Sequence, residues 1–187
     1  MKQEKWKRWG LAFVLSALFG WSTACAEEEK TFCLDSLASS KYKLRIGADV
    51  WLVDYPVYRF EMGDVNGDGK TDAILGVVKS TRYDPVVRRR VFLFKNYKGH
   101  VRPLWLGSRL GNPIVDFHFL AHEGILRVME REQDGSFLVA DYRWQSFGMQ
   151  FVRYLLRHVS ESEARNLLFQ APHEFHSNTK LRRTRKT

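Results

Sequence analysis

The sequence predicts an all-β, mostly antiparallel protein in which short strands follow one another along most of the chain. Residues 57–62 alternate between apolar and polar side chains, which is typical of a strand with one buried face. Residues 73–78 form a continuous apolar run of strand length, which is expected for a strand buried on both faces. A chain of 187 residues with a hydrophobic fraction of 44% is enough for one packed domain and excludes wholesale disorder.

The other β-prone segments are separated by turn sequences at regular spacing. Asp134-Gly135 is the clearest of these turns, because this dipeptide tolerates the positive φ angles of a tight hairpin. About nine short strands in this rhythm favour a compact stack of sheets, a sandwich or a propeller-blade-like piece. The additional segments are residues 44–46, 49–53, 90–97, 101–106, 114–120, 125–131, 137–144 and 150–156.

One short helix is predicted near the C-terminus. Ser160 and Glu163 have the spacing of a capping box, in which the serine hydroxyl accepts from the third amide and the glutamate reaches back. Apolar residues follow at helical spacing, and Pro172 ends the segment. Residues 173–187 are polar and basic, and we expect them to form a flexible tail.

Residues 1–26 have the three parts of a secretory signal peptide. Four Lys or Arg residues precede an apolar stretch from Leu11 to Trp21, and Ala24-Cys25-Ala26 provides small residues before a cut after Ala26. The stretch is too short for a stable transmembrane helix. We therefore expect an exported protein that is periplasmic, secreted or held at the outer surface.

Cys25 offers an alternative way of processing the leader. The segment Ser22-Thr23-Ala24-Cys25 resembles a bacterial lipoprotein signal, although Ser22 stands where an aliphatic residue is usual. A lipid on Cys25 is the one membrane attachment that we expect. Either cut leaves Cys33 without an internal partner, so that this residue is buried, free or paired between chains.

The segment after the leader divides into a lead-in and a β domain. Residues 27–41 are polar and rich in small residues, and we expect a lead-in segment with one short helical turn around residues 34–38. The β domain is expected to span residues 42–172. The net charge is +9 for the whole chain and +6 without the leader, which holds four Lys or Arg and one Glu.

The sharpest motif is the loop Gly-Asp-Val-Asn-Gly-Asp-Gly-Lys-Thr-Asp at residues 63–72. Oxygen-bearing side chains occupy positions 1, 3, 5 and 9 of this loop, and calcium prefers about six to eight oxygen ligands. Gly69 at position 6 permits a sharp bend that turns the next main-chain carbonyl inwards. We predict one structural calcium ion; the alternative is an Asp/Asn/Gly-rich turn without metal. The expected ligands are Asp64, Asn66, Asp68, Lys70 through its main-chain carbonyl, and Asp72.

The flanks of the loop exclude the helix–loop–helix calcium motif, because its bidentate acid at position 12 is replaced here by Leu75 in an apolar strand. Residues 58–76 instead resemble the calcium hairpin of the FG-GAP/VCBS repeat family. In that family a strand enters the pattern Asp-x-Asn-x-Asp-Gly-x-x-Asp, and an apolar strand that ends near a glycine, here Gly76, leaves it. The resemblance implies a β-propeller blade, as in integrin heads and many exported bacterial proteins.

The resemblance extends to one blade of this chain. The sequence has no second loop of the same pattern. A closed propeller needs at least four blades, which is more than roughly 150 residues supply. We therefore expect a partial blade stack or compact sheet stack rather than a complete propeller.

Other side chains give weaker signals of ligand binding. Arg88-Arg89-Arg90 follows an expected turn at Asp84-Pro85, which suits either an anionic ligand or a solvated turn. The three tryptophans after the leader suit either sugar stacking or the core. The expected core or sugar-stacking residues are Trp51, Trp105 and Trp144.

No catalytic residues are assigned from the sequence. His118 and His122 have the i, i+4 spacing of a helix face, but they fall on a predicted strand and turn. Asp116, two residues before His118, suits either a structural or a catalytic role.

We therefore predict an exported, non-catalytic binding or structural protein with a calcium-stabilised hairpin. Its expected partner is a protein or a glycan at the cell envelope. We expect no nucleic acid, because no recognition motif for one is present. The alternative is a polysaccharide-acting enzyme or a carbohydrate-binding accessory protein, with aromatic rows as the platform.

Overall fold

The computed structural model describes residues 31–82, 84–107 and 109–170 and confirms the antiparallel all-β fold. These residues form eleven strands and one short helix. The strands are β1 (Phe32–Ala38), β2 (Lys41–Ile46), β3 (Asp49–Val53), β4 (Val57–Gly63), β5 (Asp72–Thr81), β6 (Asp84–Tyr97), β7 (His100–Leu106), β8 (Ile114–Leu120), β9 (Ile125–Arg131), β10 (Phe137–Gln145) and β11 (Gly148–Val159). The helix α1 is Glu161–Leu168.

The strands are arranged in three sheets, and each sheet is a meander of consecutive strands. Sheet A has the order β1-β2-β3, sheet B has β4-β5-β6-β7, and sheet C has β11-β10-β9-β8. Every pair of neighbouring strands is antiparallel. The described sheets do not close into a barrel.

Sheet B is the middle layer and is covered on both faces. On β5, Leu75 and Val77 pack with sheet A, whereas Ile74 packs with sheet C. All three side chains are fully buried. A fully buried aliphatic side chain contributes about 1.5–3 kcal/mol relative to an exposed one, so a strand with two buried faces requires an uninterrupted apolar sequence.

Helix α1 covers the outer face of sheet C, where Leu168 packs with Met129 and Val139. The predicted capping box is confirmed. The Ser160 hydroxyl accepts from the Glu163 amide at 3.3 Å, and the Glu163 carboxylate accepts from the Ser160 amide at 3.1 Å. These two bonds satisfy amides that have no partner within the helix.

The buried Arg127 joins the end of this helix to sheet C. Its Nε donates to Asp141 Oδ1 at 2.9 Å, and its guanidinium also donates to the carbonyl of Gln170 at 2.8 Å. Arg127 is 1% exposed and Asp141 is fully buried, so each charge satisfies the other where water is excluded.

The predicted helical turn around residues 34–38 is wrong, because Phe32–Ala38 forms strand β1. Phe32 is 1% exposed and packs into the core between sheets A and B. Phe32 is the one fully buried residue of the strand, residues 33–35 are half-buried and residues 36–38 are exposed, so the sequence shows no alternation of apolar and polar side chains. The β-sheet structure therefore begins at Phe32 rather than at residue 42.

The turn expected at Asp84-Pro85 lies earlier in the chain, because Asp84 already pairs with Thr81 of β5, and the three arginines belong to strand β6. Arg90 is 2% exposed, lies 3.0 Å from Asp84 Oδ2, and donates to the carbonyls of Lys79 and Val86 at 2.7 and 3.1 Å. One of the three cations is thus a structural residue at the base of the β5–β6 hairpin.

The three tryptophans are half-buried and pack against the core. Trp105 and Trp144 contact the cluster between sheets B and C, and Trp51 contacts the cluster between sheets A and B. Cys33 is a half-buried free cysteine on β1.

The leader at 1–26 and the tail at 173–187 lie outside the described residues. Within the part of the chain that is described, no helix has the length and apolar character needed to cross a membrane.

We predict that Gly76→Ala weakens the packing between sheets B and C. A Cβ atom at this position would lie 2.6 Å from the Tyr58 ring and 2.9 Å from the Phe117 ring. Overpacking of this kind costs about 1–3 kcal/mol. Urea denaturation of the wild-type and variant proteins measures the decrease in the free energy of unfolding. Gly148→Ala is the matched control, because its Cβ would meet Trp105 at an ordinary 3.5 Å; equal losses in both variants would contradict the prediction.

Candidate metal site

The candidate site is the β4–β5 connection, residues 64–71, together with Asp72 at the start of β5. The β4–β5 pairing ends with Gly63 opposite Asp72, so the two ends of the loop are fixed by the sheet. Gly67 and Gly69 have φ angles of +77° and +78°. These left-handed conformations bend the loop tightly, and other residues adopt them at a cost.

Asp64 binds the amides of its own loop. Its Oδ1 accepts from the Gly67 and Asp68 amides at 2.8 and 3.1 Å, and its Oδ2 accepts from the Gly69 amide at 2.8 Å. The carboxylate therefore faces the concave side of the loop, as expected for a first-position ligand.

Asn66 and Asp68 continue the same pattern. The Asp68 amide donates to Asn66 Oδ1 at 2.9 Å, and the Lys70 amide donates to Asp68 Oδ1 at 2.9 Å. Asn66 Nδ2 donates to Asp68 Oδ2 at 3.3 Å. The structure thus brings the predicted side chains at positions 1, 3 and 5 into one hydrogen-bonded loop. The inward direction of the Lys70 carbonyl stays a prediction.

Asp72 is the buried member of the set and is fully inaccessible to solvent. Its Oδ2 accepts from the amides of Val65 and Asn66 at 3.1 and 3.4 Å. Its Oδ1 is buried and has no hydrogen-bond partner. A buried carboxylate oxygen without a donor is costly, so a cation at this point would supply the missing partner.

The electrostatics of Asp72 agree with this geometry. Burial raises the pKa of Asp72 to about 6, the amides of Val65 and Asn66 oppose the rise, and the negative charges of Asp68 and Asp64 add to it. The loop therefore concentrates negative charge around a group that prefers to be neutral. A divalent cation would reverse this preference.

The side chains do not by themselves form a completed metal site. Among the described residues, no group of three or more His, Cys, Asp or Glu side chains is arranged to hold a metal ion. Both oxygens of Asp64 accept hydrogen bonds from amides of the loop. Calcium binding therefore remains a prediction, supported by the donor set and by the unpartnered Oδ1.

The loop is continuous with the core between sheets B and C. Val65, within the loop, is 5% exposed and belongs to that core cluster. At Gly63 an added Cβ would lie 2.3 Å from the Phe119 ring of sheet C. The loop and the end of β4 thus pack directly against sheet C.

Ionic contacts that were not predicted join β4 to β8 beside the loop. Arg59 forms two hydrogen bonds with Asp116, both of 2.6 Å, and Asp116 is 5% exposed. Glu61 Oε2 accepts from the Phe119 amide at 2.7 Å, and its Oε1 lies 3.3 Å from His118 Nδ1. Asp116 and His118 thus take part in contacts that hold the sheets together.

These contacts leave one signal in the sequence. Arg59 and Glu61 stand two residues apart on β4, and Asp116 and His118 stand two residues apart on β8. A two-residue period places each pair on one face of its strand. Complementary charges on two predicted strands therefore indicate a pairing, although not which strands are neighbours.

No family model matches the chain, and no curated protein or solved structure is significantly similar to it.

We predict that Asp72 makes the stability of the metal-free protein depend on pH. The pKa of Asp72 is about 6 in the folded protein against an ordinary 3.8, so the folded protein holds a proton that the unfolded chain releases between these values. Relative to Asp72→Asn, the unfolding free energy of the wild-type protein is expected to fall by about 2 kcal/mol from pH 4 to pH 7.

Urea denaturation of both proteins in chelator, at several pH values, measures this difference. The subtraction removes the contribution of the other titrating groups. A difference that stays constant or rises with pH would show that Asp72 is not disfavoured in its charged form.

Proposed function

We propose that this is an exported, non-catalytic β-sheet protein of the cell envelope that binds one structural calcium ion in its β4–β5 hairpin. The unpartnered buried Oδ1 of Asp72 carries the proposal, because the fold leaves a carboxylate oxygen without a protein donor at a point where a cation would compensate its charge. The oxygen ligands are those of Asp64, Asn66, Asp68, Lys70 through its carbonyl, and Asp72.

The surroundings of the loop support a structural role for the ion. The loop begins and ends on neighbouring strands of sheet B, and Val65 packs between sheets B and C. An ion that fixes this loop would hold β4 against β5 and keep Val65 in the core. The antiparallel hairpin and the meandering sheets also agree with the resemblance to an FG-GAP/VCBS blade.

We further propose that the β domain acts by binding a protein or glycan partner outside the cytoplasm. The proposal of export depends on residues 1–26. The mass of the N-terminus of the mature protein tests it. A start at Glu27 supports free export, a diacylglycerol-modified start at Cys25 supports a surface tether, and an intact Met1 would contradict export.

We predict that calcium raises the melting temperature of the protein above its value in EDTA, and that Asp68→Ala removes most of this rise. Asp68 accepts bonds from the loop but lies exposed, so that its loss leaves the metal-free fold nearly unchanged. Thermal unfolding followed by circular dichroism measures both effects, and calorimetric titration gives the number of ions bound.

Asp134→Ala is the matched control, because Asp134 lies in another Asp-Gly turn, where it accepts from the Ser136 amide at 2.9 Å. This change is expected to lower the melting temperature equally with and without calcium. Equal melting temperatures of the wild-type protein in calcium and in EDTA would overturn the proposed metal site.

A further inference from the structure

A groove of about 640 Å³ opens at the edge of the interface between sheets A and B. One wall is formed by the end of β3 and by Asp54 and Tyr55, which lead from β3 to β4. The opposite wall is formed by the end of β5 and by residues of β6 and β7. The groove is separate from the calcium loop, which lies at the other end of β5.

Aromatic and aliphatic side chains form most of the groove. Trp51 packs against the core residue Phe94, with ring centroids 5.5 Å apart, and Tyr55 meets Phe92 edge-on at 5.7 Å. These contacts fix the aromatic walls before any ligand arrives. A preformed wall keeps the entropy cost of binding low.

Two leucines extend this apolar wall to the surface. The side chain of Leu52 is 58% exposed to solvent, and that of Leu106 is 45% exposed. An apolar surface that lines a concave site of about 300–1,000 Å³ is typical of small-molecule pockets. Such a surface suits a ligand with an apolar body.

Polar groups in the groove are concentrated around the β5–β6 turn. Lys79 Nζ lies 4.3 Å from the centroid of the Tyr55 ring, and Arg82 also lines the groove. Among the described lining residues, Asp54 is the one carboxylate, and it lies on the wall opposite Lys79. Thr81 Oγ1 already accepts from the Asp84 amide at 3.2 Å, which leaves its hydroxyl hydrogen to donate to a ligand.

Tyr55 is half-buried and packs against the core between sheets A and B. Burial raises the pKa of Tyr55 to about 12, with a smaller contribution from the charge of Asp54.

We propose that the groove binds an anionic amphiphile, a small molecule whose apolar body packs against Trp51, Leu52 and Leu106 and whose single anionic group lies against Lys79. The distribution of the lining chemistry favours this class. A sugar would require polar groups distributed along its length, whereas most polar residues of this groove lie at the β5–β6 turn and only Asp54 lies on the other wall among the described lining residues. The positive charge of Lys79 would repel the head group of a cationic amphiphile.

The proposal is tested with the purified full-length protein and the fluorescent probe 1-anilinonaphthalene-8-sulfonate, which combines an aromatic body with one sulfonate. Decanoate, 1-decanol and decyltrimethylammonium, each below its aggregation concentration, compete for the probe. Decanoate is expected to bind one to one and about tenfold more tightly than the other two, because only decanoate forms the charge-assisted contact.

Substitutions in the lining test whether the ligands bind in this groove. Lys79→Met keeps the aliphatic stem and is expected to weaken decanoate about tenfold while leaving 1-decanol unchanged. Leu52→Asp places a charge on the apolar wall and is expected to abolish binding of all three ligands. Both residues are exposed, so that these changes spare the core, and circular dichroism confirms that each variant is folded.

Phe147→Ser is the control for another exposed apolar surface. Phe147 is 90% exposed at the β10–β11 turn, away from the groove, and its removal is expected to leave decanoate binding unchanged. Absence of decanoate binding, equal affinities for the three ligands, no effect of Lys79→Met, or loss of binding in Phe147→Ser would each overturn the proposal.

Discussion

The fold depends on the burial of sheet B on both faces. Leu75 and Val77 need sheet A, whereas Ile74 needs sheet C, and none of these side chains is accessible to solvent in the complete stack. Separation of either outer sheet would expose one of the two clusters to water. Because the apolar area is shared in this way, the three sheets stabilise one another and are expected to unfold together.

The candidate metal loop belongs to the same stack through a few close contacts. Val65 extends from the loop into the core between sheets B and C, and Gly63 leaves room for the Phe119 ring. The bidentate Arg59–Asp116 pair holds the adjoining strands. A change in the loop therefore alters the contact between two sheets, and an ion in this loop would stabilise the interface between sheets B and C.

Much of the local structure could be predicted from the sequence, because local rules determine it. The apolar run of β5, the Asp134-Gly135 turn and the capping box of α1 each depend on neighbouring residues. Strand β1 was missed because the adjacent Asp35 and Ser36 interrupt the alternation of apolar and polar side chains and only Phe32 is fully buried. The basic segment of β6 was missed because Arg90 is buried through contacts with carbonyls that its position in the sequence does not reveal.

Long-range features could not be predicted from the same rules. Arg59 and Asp116 lie 57 positions apart, and only the stacking of sheets B and C brings them together. The loop residues were identified by their spacing, but the isolation of Asp72 Oδ1 depends on the packing around it. The groove has no motif, since its walls come from separate strands of two sheets.

The meander topology has a consequence for the way in which the chain acquires its structure. Among the eleven described strands, every hydrogen-bonded pair joins neighbours in the sequence, so each sheet is made from one uninterrupted stretch of chain. Only short loops have to close while a sheet forms, and contacts of low sequence separation favour rapid folding. During synthesis from the N-terminus, the chain can therefore form sheet A before sheet B, and sheet B before sheet C. No segment has to pass through a sheet that has already formed.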